Sequence, residues 1–177
     1  MALDLTKLTL NAGVIYINDG ETDEYLLGPT RGGGTFEGKS DIRDIDYDGK
    51  EGPTKGAVVI DQITAAIKTT VLSYNKKILS ILSPGIAPLT TTSTASILPG
   101  SVGLIPEANY LKNVCYYVPT VDGKYIKYKI LNPLCRNGIS SNHKDKGEGE
   151  LALEFTGHHD KDGTGDIWEI TEVTSIA

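Results

Sequence analysis

Four short stretches concentrate residues able to do chemistry. Asp44-Ile45-Asp46-Tyr47-Asp48-Gly49 opens like a calcium loop, with carboxylates at positions one, three and five and a glycine at six. That chemistry needs a bidentate Glu at position twelve, where this chain has Lys55, and helical flanks, where it has strand character. An acidic loop tip is the simpler reading. His158-His159-Asp160-Lys161-Asp162 sets two imidazoles beside carboxylates. Neighbours on a strand point to opposite faces, so the two rings do not converge on one metal. Arg31-Gly32-Gly33-Gly34-Thr35 imitates a phosphate loop, but it lacks the Gly-Lys-Ser/Thr ending and a following helix. It reads instead as a turn between strands that tolerates left-handed backbone. Tyr110, Tyr116, Tyr117, Tyr125 and Tyr128 have the composition of a sugar-stacking surface, or of cross-strand pairs within one hairpin. There is no G-x-S-x-G and no nucleophile beside a base, so an enzyme is not expected and neither a metal nor a cofactor is assigned.

The elements that position these residues are short alternating runs, punctuated by Gly, Asp, Pro and Asn. Val14 to Ile17 is the first strand, closed by Asn18-Asp19-Gly20, and Tyr25 to Leu27 follows. Thr35 to Tyr47 is a longer, polar extended stretch. Val58 to Leu72 is the clearest strand, with Ile63, Ala65, Ile67, Thr69 and Val71 on one face and Gln62, Thr64, Ala66, Lys68 and Thr70 on the other. Asn75 to Ser83 has helical spacing through Ile78, Ile81 and Leu82, a capping Asn75 and a Pro84-Gly85 stop. Leu89 to Ser96 is an extended connection or an edge strand. Tyr110 to Val118 and Lys124 to Leu131 form a hairpin around Asp122-Gly123. Asn137 to Gly149 is polar and Lys-rich, the expected mobile loop. Leu151-Leu153-Phe155 alternates with Ala152-Glu154-Thr156, and Ile167 to Val173 is the last strand. The expected fold is mostly β: an antiparallel sandwich or barrel with one short flanking helix and a long early-strand loop.

The 177 residues and 39% hydrophobic content fit one globular domain over 1–177 and exclude global disorder. No run of 18 apolar residues predicts a membrane helix, and Met1 to Leu10 lacks the pattern of a secretory signal. Cys115 and Cys135 have no metal-type spacing and read as free thiols of a reducing compartment. The net charge of -6 is unevenly spread: -5 over residues 1–56, +6 over 57–147 and -7 over 148–177. An acidic chain is poorly suited to tight nucleic-acid binding, while blocks of opposite sign suit contacts within or between copies.

One long stretch carries a pattern beyond single elements. It runs Gly28-Pro29-Thr30-Arg31-Gly32-Gly33-Gly34-Thr35-Phe36, then Asp41-Ile42-Arg43-Asp44-Ile45, then Asp48-Gly49 and Gly52-Pro53-Thr54-Lys55-Gly56. It resembles the N-terminal part of the tail tube proteins, or major tail proteins, of long-tailed bacteriophages. The strand Val58 to Leu72 and the helix Asn75 to Leu82 follow in the family's order. Gly149 to His158 is similar to its penultimate strand. The likeness spans 14–82 and, less closely, 148–172.

The resemblance implies a non-enzymatic structural protein of the virion tail, assembled in the host cytoplasm. Six copies form a ring, rings stack into a hollow tube, and DNA passes through without specific binding. Tape measure and tail-tip or terminator proteins are the implied partners, and no membrane is involved. An early loop reaches the adjacent ring. Here it is residues 40–56, with Asp41, Arg43, Asp44, Asp46, Asp48, Lys50, Glu51 and Lys55 as the stacking candidates and flexible terminal arms adding contacts. The alternative from the tyrosines alone is a β-sandwich carbohydrate-binding module.

Overall fold

The computed structural model describes residues 8–9, 12–49, 51–72, 78, 81, 102–138, 141–142 and 149–176. Ten antiparallel strands form two sheets among them: β1 (Val14–Ile17), β2 (Tyr25–Leu26), β3 (Thr30–Asp44), β4 (Val58–Val71), β5 (Asn113–Pro119), β6 (Tyr125–Leu131), β7 (Leu134–Cys135), β8 (Ser141–Asn142), β9 (Glu150–Thr156) and β10 (Trp168–Val173). The first sheet has the order β10-β6-β5-β1-β2; the second has β3-β4-β9-β7, with β8 also pairing β9. The sheets pack face to face as a sandwich. Glu107–Asn109 adds a short 3-10 turn.

Alternation decides which side chains enter the core. Ile15 and Ile17 of β1, Val114, Tyr116 and Val118 of β5, and Ile130 of β6 come from the first sheet. Ala65, Ile67 and Val71 of β4 and Leu151, Leu153 and Phe155 of β9 come from the second. The period of two read in Val58 to Leu72 holds over its second half, where every other residue from Ala65 to Val71 is buried. The two sheets meet through aromatic rings. Phe36 of β3 stacks on Tyr128 of β6 at 5.0 Å between centroids, and Trp168 of β10 meets it edge-on at 5.9 Å.

The triglycine departs from the expected turn between strands. It lies inside β3, where Arg31 pairs Thr70 and Gly34 pairs Thr69, so Gly32 and Gly33 form a two-residue bulge with φ of 74° and 75°. The reason is the ring beneath it. A Cβ on Gly34 would stand 3.2 Å from the Tyr116 ring and 3.1 Å from Ile15 Cδ1. Instead the Gly34 N–H donates to the Tyr116 hydroxyl at 3.3 Å, and the Thr69 hydroxyl donates to the Gly33 carbonyl at 2.9 Å.

Three other expectations are adjusted or fall outside the described residues. The helix over Asn75 to Ser83 lies outside them save for Ile78 and Ile81, both helical, with Ile78 in the core. Leu89 to Ser96 also lies outside. The loop Asn137 to Gly149 contains the short strand β8, whose Ser141 and Asn142 pair with Leu151 and Glu150 of β9, because that edge of β9 offers backbone partners. Near the N-terminus Thr9 bridges Thr120, and the Val121 N–H donates to the Leu8 carbonyl at 3.0 Å. No helix of the described residues is long and apolar enough to cross a membrane.

Candidate functional site

The candidate stacking residues sit on an arm formed by the outer half of the β3–β4 hairpin. β9 accompanies β4 only as far as Thr156 opposite Ala66. Beyond that point β3 and β4 continue together as a two-stranded ribbon. Its stretch from Lys39 to Asp44 rises about 20 Å. The loop expected over 40–56 is therefore shorter. Asp41, Arg43 and Asp44 belong to β3, opposite Gln62, Val59 and Val58, and the connecting loop is residues 45–57. The alternation of Asp41-Ile42-Arg43 lets pairing continue where charge suggested a loop.

The ribbon is stiffened by polar pairs on its surface. Asp61 is the extra residue of a bulge in β4, since Asp41 pairs Gln62 while Ile42 pairs Ile60. Its carboxylate receives the Arg43 guanidinium at two points, Nε at 2.8 Å and a second nitrogen at 3.1 Å. That hydrogen bond holds the Asp61 carboxyl below its ordinary range and raises Arg43. Lys39 pairs with Asp41 at 2.8 Å. The loop is ordered by the Ile45 N–H on the Ala57 carbonyl at 2.9 Å and by Tyr47 Oη beside Thr54 Oγ1 at 3.2 Å. Gly49 and Gly56 take the positive φ its corners need, 86° and 89°. Asp46, Asp48, Glu51 and Lys55 are exposed on this loop, while Lys50 lies outside the described residues.

Charge pattern missed the apolar side of the arm. Ile42 and Ile60 stand directly opposite each other and are 64% and 56% exposed. Ile45, Tyr47, Val58 and Ile63 are exposed with them. Solvated ribbons have no use for such a group of large side chains; surfaces that meet another protein do. The sequence signal was the Val58-Val59-Ile60 run, which reads as core when only one sheet is considered.

A second polar cluster lies in the body. Asp19, in the β1–β2 loop, receives Lys127 Nζ at 2.5 Å and the Tyr117 hydroxyl at 2.8 Å, both on Oδ2. The Asp19 side chain is 4% exposed and that of Lys127 19%. Burial pushes the Asp19 carboxyl up, but the Lys127 and Tyr117 hydrogen bonds and the Lys127 charge outweigh it and leave it lowered. Burial likewise works against the Lys127 charge, and Asp19 and Tyr117 overcome it, so Lys127 is raised. Asn113 holds the same loop by its side chain, accepting from the Asp19 N–H at 2.8 Å and donating to the Asp19 carbonyl at 3.1 Å. The cluster anchors a loop and presents no nucleophile. The neighbouring Cys115 thiol is pushed up to about 12 by burial, and both cysteines are free and buried.

The remaining motifs serve local structure. His158 Nδ1 lies 3.2 Å from the Asn132 carbonyl, and His159 Nδ1 lies 2.8 Å from the Gly165 carbonyl, so the two rings serve different loops. Among the described residues no three His, Cys, Asp or Glu side chains converge as a metal site. Four of the five tyrosines make internal contacts, and Tyr125 is half-buried. Tyr116 and Tyr117 are buried, Tyr116 stacks on its cross-strand partner Tyr128 at 6.1 Å, and Tyr110 packs edge-on against His158 at 5.2 Å. No protein-family model matches the chain, and no curated protein is significantly similar to it in sequence.

Proposed function

We propose that this chain is a structural subunit whose copies close into six-membered rings and stack into the hollow tail tube of a bacteriophage. One observation carries the reading most: a β ribbon that leaves the sandwich and holds Ile42, Ile60, Val58, Ile45 and Tyr47 in solvent. A rigid arm tipped with apolar and charged side chains is suited to a socket on another copy. Among the described residues no strand pairs with the outer edge of β3, an edge that is a hazard in a lone subunit and an asset in a ring, where a neighbour covers it. The net charge of -6 suits a conduit that lets DNA slide, because an acidic wall repels phosphate. Tape measure and tail-tip or terminator proteins are the partners such a tube requires.

The test is negative-stain electron microscopy of the purified chain across a concentration series. Hollow tubes or six-fold rings are expected. A variant in which residues 46–56 are replaced by an Asn-Gly turn should remain folded and fail to stack. Tubes of normal length from that variant, or small closed oligomers without a channel from the full chain, count against the proposal.

A further inference from the structure

The arm leaves one edge of β4 without a partner. The last bond to β9's side runs from the Gly157 N–H to the Ala65 carbonyl at 2.9 Å. Backbone groups of a strand face its two edges alternately, so the N–H and carbonyl of Ile63 point the same way as those of Ala65. Among the described residues no strand pairs with that edge from Ile63 outward. An open groove of about 620 Å³ runs beside it, with Ile60, Ile63 and Ile167 in its lining and Arg136 and His158 also bordering it.

The same chain displays a segment of matching character. Val102 and Leu104 are 100% and 101% exposed, and Ile105 is 37% exposed. The backbone bends at Gly103 and Leu104, with Gly103 at a φ of 144°; once straightened, the spacing of two puts Val102 and Leu104 on one side. The segment is uncharged as far as Glu107, whose carboxylate is held by Lys161. It therefore brings no charge to repel or pair with Arg136. Pro106 ends the run with no N–H to satisfy. The root of the segment is pinned near the groove, through Glu107 to Lys161 and through the Tyr110 ring on His158. Even so, the segment stands in solvent and the groove of its own chain stays open, which directs it to another molecule.

We propose that the segment Val102–Ile105 of one copy straightens and adds as a strand to the open edge of β4 in a second copy, seating Val102 and Leu104 against Ile60, Ile63 and Ile167. The contact joins two different patches, so it propagates from copy to copy and closes into a ring or extends into a fibre according to its rotation. Main-chain bonds along the edge supply part of the affinity, and the alternate side chains fix the register. The inference rests on the self-assembly proposed above and names one of its contacts.

Mixed-variant crosslinking tests it. Leu104→Cys and Ile63→Cys are prepared separately, both at exposed positions, with Cys115 and Cys135 buried out of reach. Under mild oxidation the mixture should form a disulfide-linked pair well above what either variant forms alone. Leu104→Asp should keep the wild-type circular dichroism and weaken self-association by about a hundredfold or more. If the wild-type chain assembles but the mixture does not crosslink and Leu104→Asp assembles normally, the docking is wrong and the assembly reading stands. If the double variant Ile63→Cys/Leu104→Cys closes a bond within one monomer, the segment is a strap on its own chain and the proposal fails. A wild-type chain that stays monomeric at all concentrations overturns both.

Discussion

Replacing Ile42 and Ile60 together by Thr separates what the arm does for the subunit from what it does for the assembly. Fully burying an Ile side chain is worth about 1.5–3 kcal/mol. With 64% and 56% of these residues still exposed, a socket on another copy has roughly 2–3.5 kcal/mol left to gain from the pair. Thr keeps the β-branch and one methyl, so the swap forfeits about 2 kcal/mol of this and raises the critical concentration about thirtyfold for each arm engaged. The isolated subunit loses little, because exposed substitutions away from special features stay within about 0.5 kcal/mol. Sedimentation velocity gives the critical concentration, and urea unfolding of dilute subunit gives stability. A critical concentration within threefold of wild type refutes the interface. A loss of subunit stability above about 1 kcal/mol refutes the exposure, because it places these side chains in the subunit's own core.

Other perturbations probe the body. Asp19→Asn or Lys127→Met alone should cost about 3 kcal/mol in urea unfolding, while the double variant regains much of it, because an unpaired buried charge costs more than an uncharged pair. Asp19 is lowered in the folded state, so its contribution is present above the ordinary carboxylate range near 4 and fades as pH falls further; Lys127 is raised, so its contribution is present below about 10 and fades as pH climbs beyond. Thermal unfolding should therefore show a plateau between these limits, and a flat acid limb in Asp19→Asn relative to wild type checks the assignment. Gly13→Ala should cost about 3 kcal/mol, since a Cβ there meets the Tyr117 carbonyl oxygen at 2.0 Å; a stability change under 1 kcal/mol contradicts this packing. A disulfide-exchange thiol reagent at pH 8 should label neither Cys115 nor Cys135 until the chain unfolds, because burial both shields the thiols and keeps them protonated.

What could be read from the residues was local. The alternation of Ile63 to Val71 located β4, Leu151-Leu153-Phe155 located β9, and Asp122-Gly123 located the β5–β6 hairpin, with Gly123 at a φ of 80°. Each signal is carried by a few consecutive side chains. The expected sandwich was legible, but which strand joins which sheet was not, because β1 joins β5 about a hundred residues along the chain and no local signal encodes that. Asp19 and Lys127 are 108 residues apart, so no local pattern pairs them. The triglycine looked like a turn because its dihedral freedom was visible and the Tyr116 ring that requires it was not. In the arm, charge drew attention to Asp41, Arg43 and Asp44, while the exposure of Ile42 and Ile60 depends on where β9 stops, a tertiary fact.

The β3–β4 hairpin therefore meets two different requirements along its length. Over Thr30–Phe36 of β3 and Ile67–Val71 of β4 its side chains are answered from within the subunit, by Tyr128, Trp168, Tyr116 and the facing residues of β9. From Lys39 outward, among the described residues, the same two strands pair with no third strand. An isolated two-stranded ribbon is marginal in water, and exposed ion pairs such as Arg43–Asp61 contribute little to it. Stability of the subunit is therefore a poor explanation for carrying Ile42, Ile45, Tyr47, Val58 and Ile60 on that ribbon. Polar residues of equal strand propensity, such as Thr, serve a solvated arm as well and aggregate less. The apolar choice is favourable only when a second surface removes it from water, which is the role proposed for the arm.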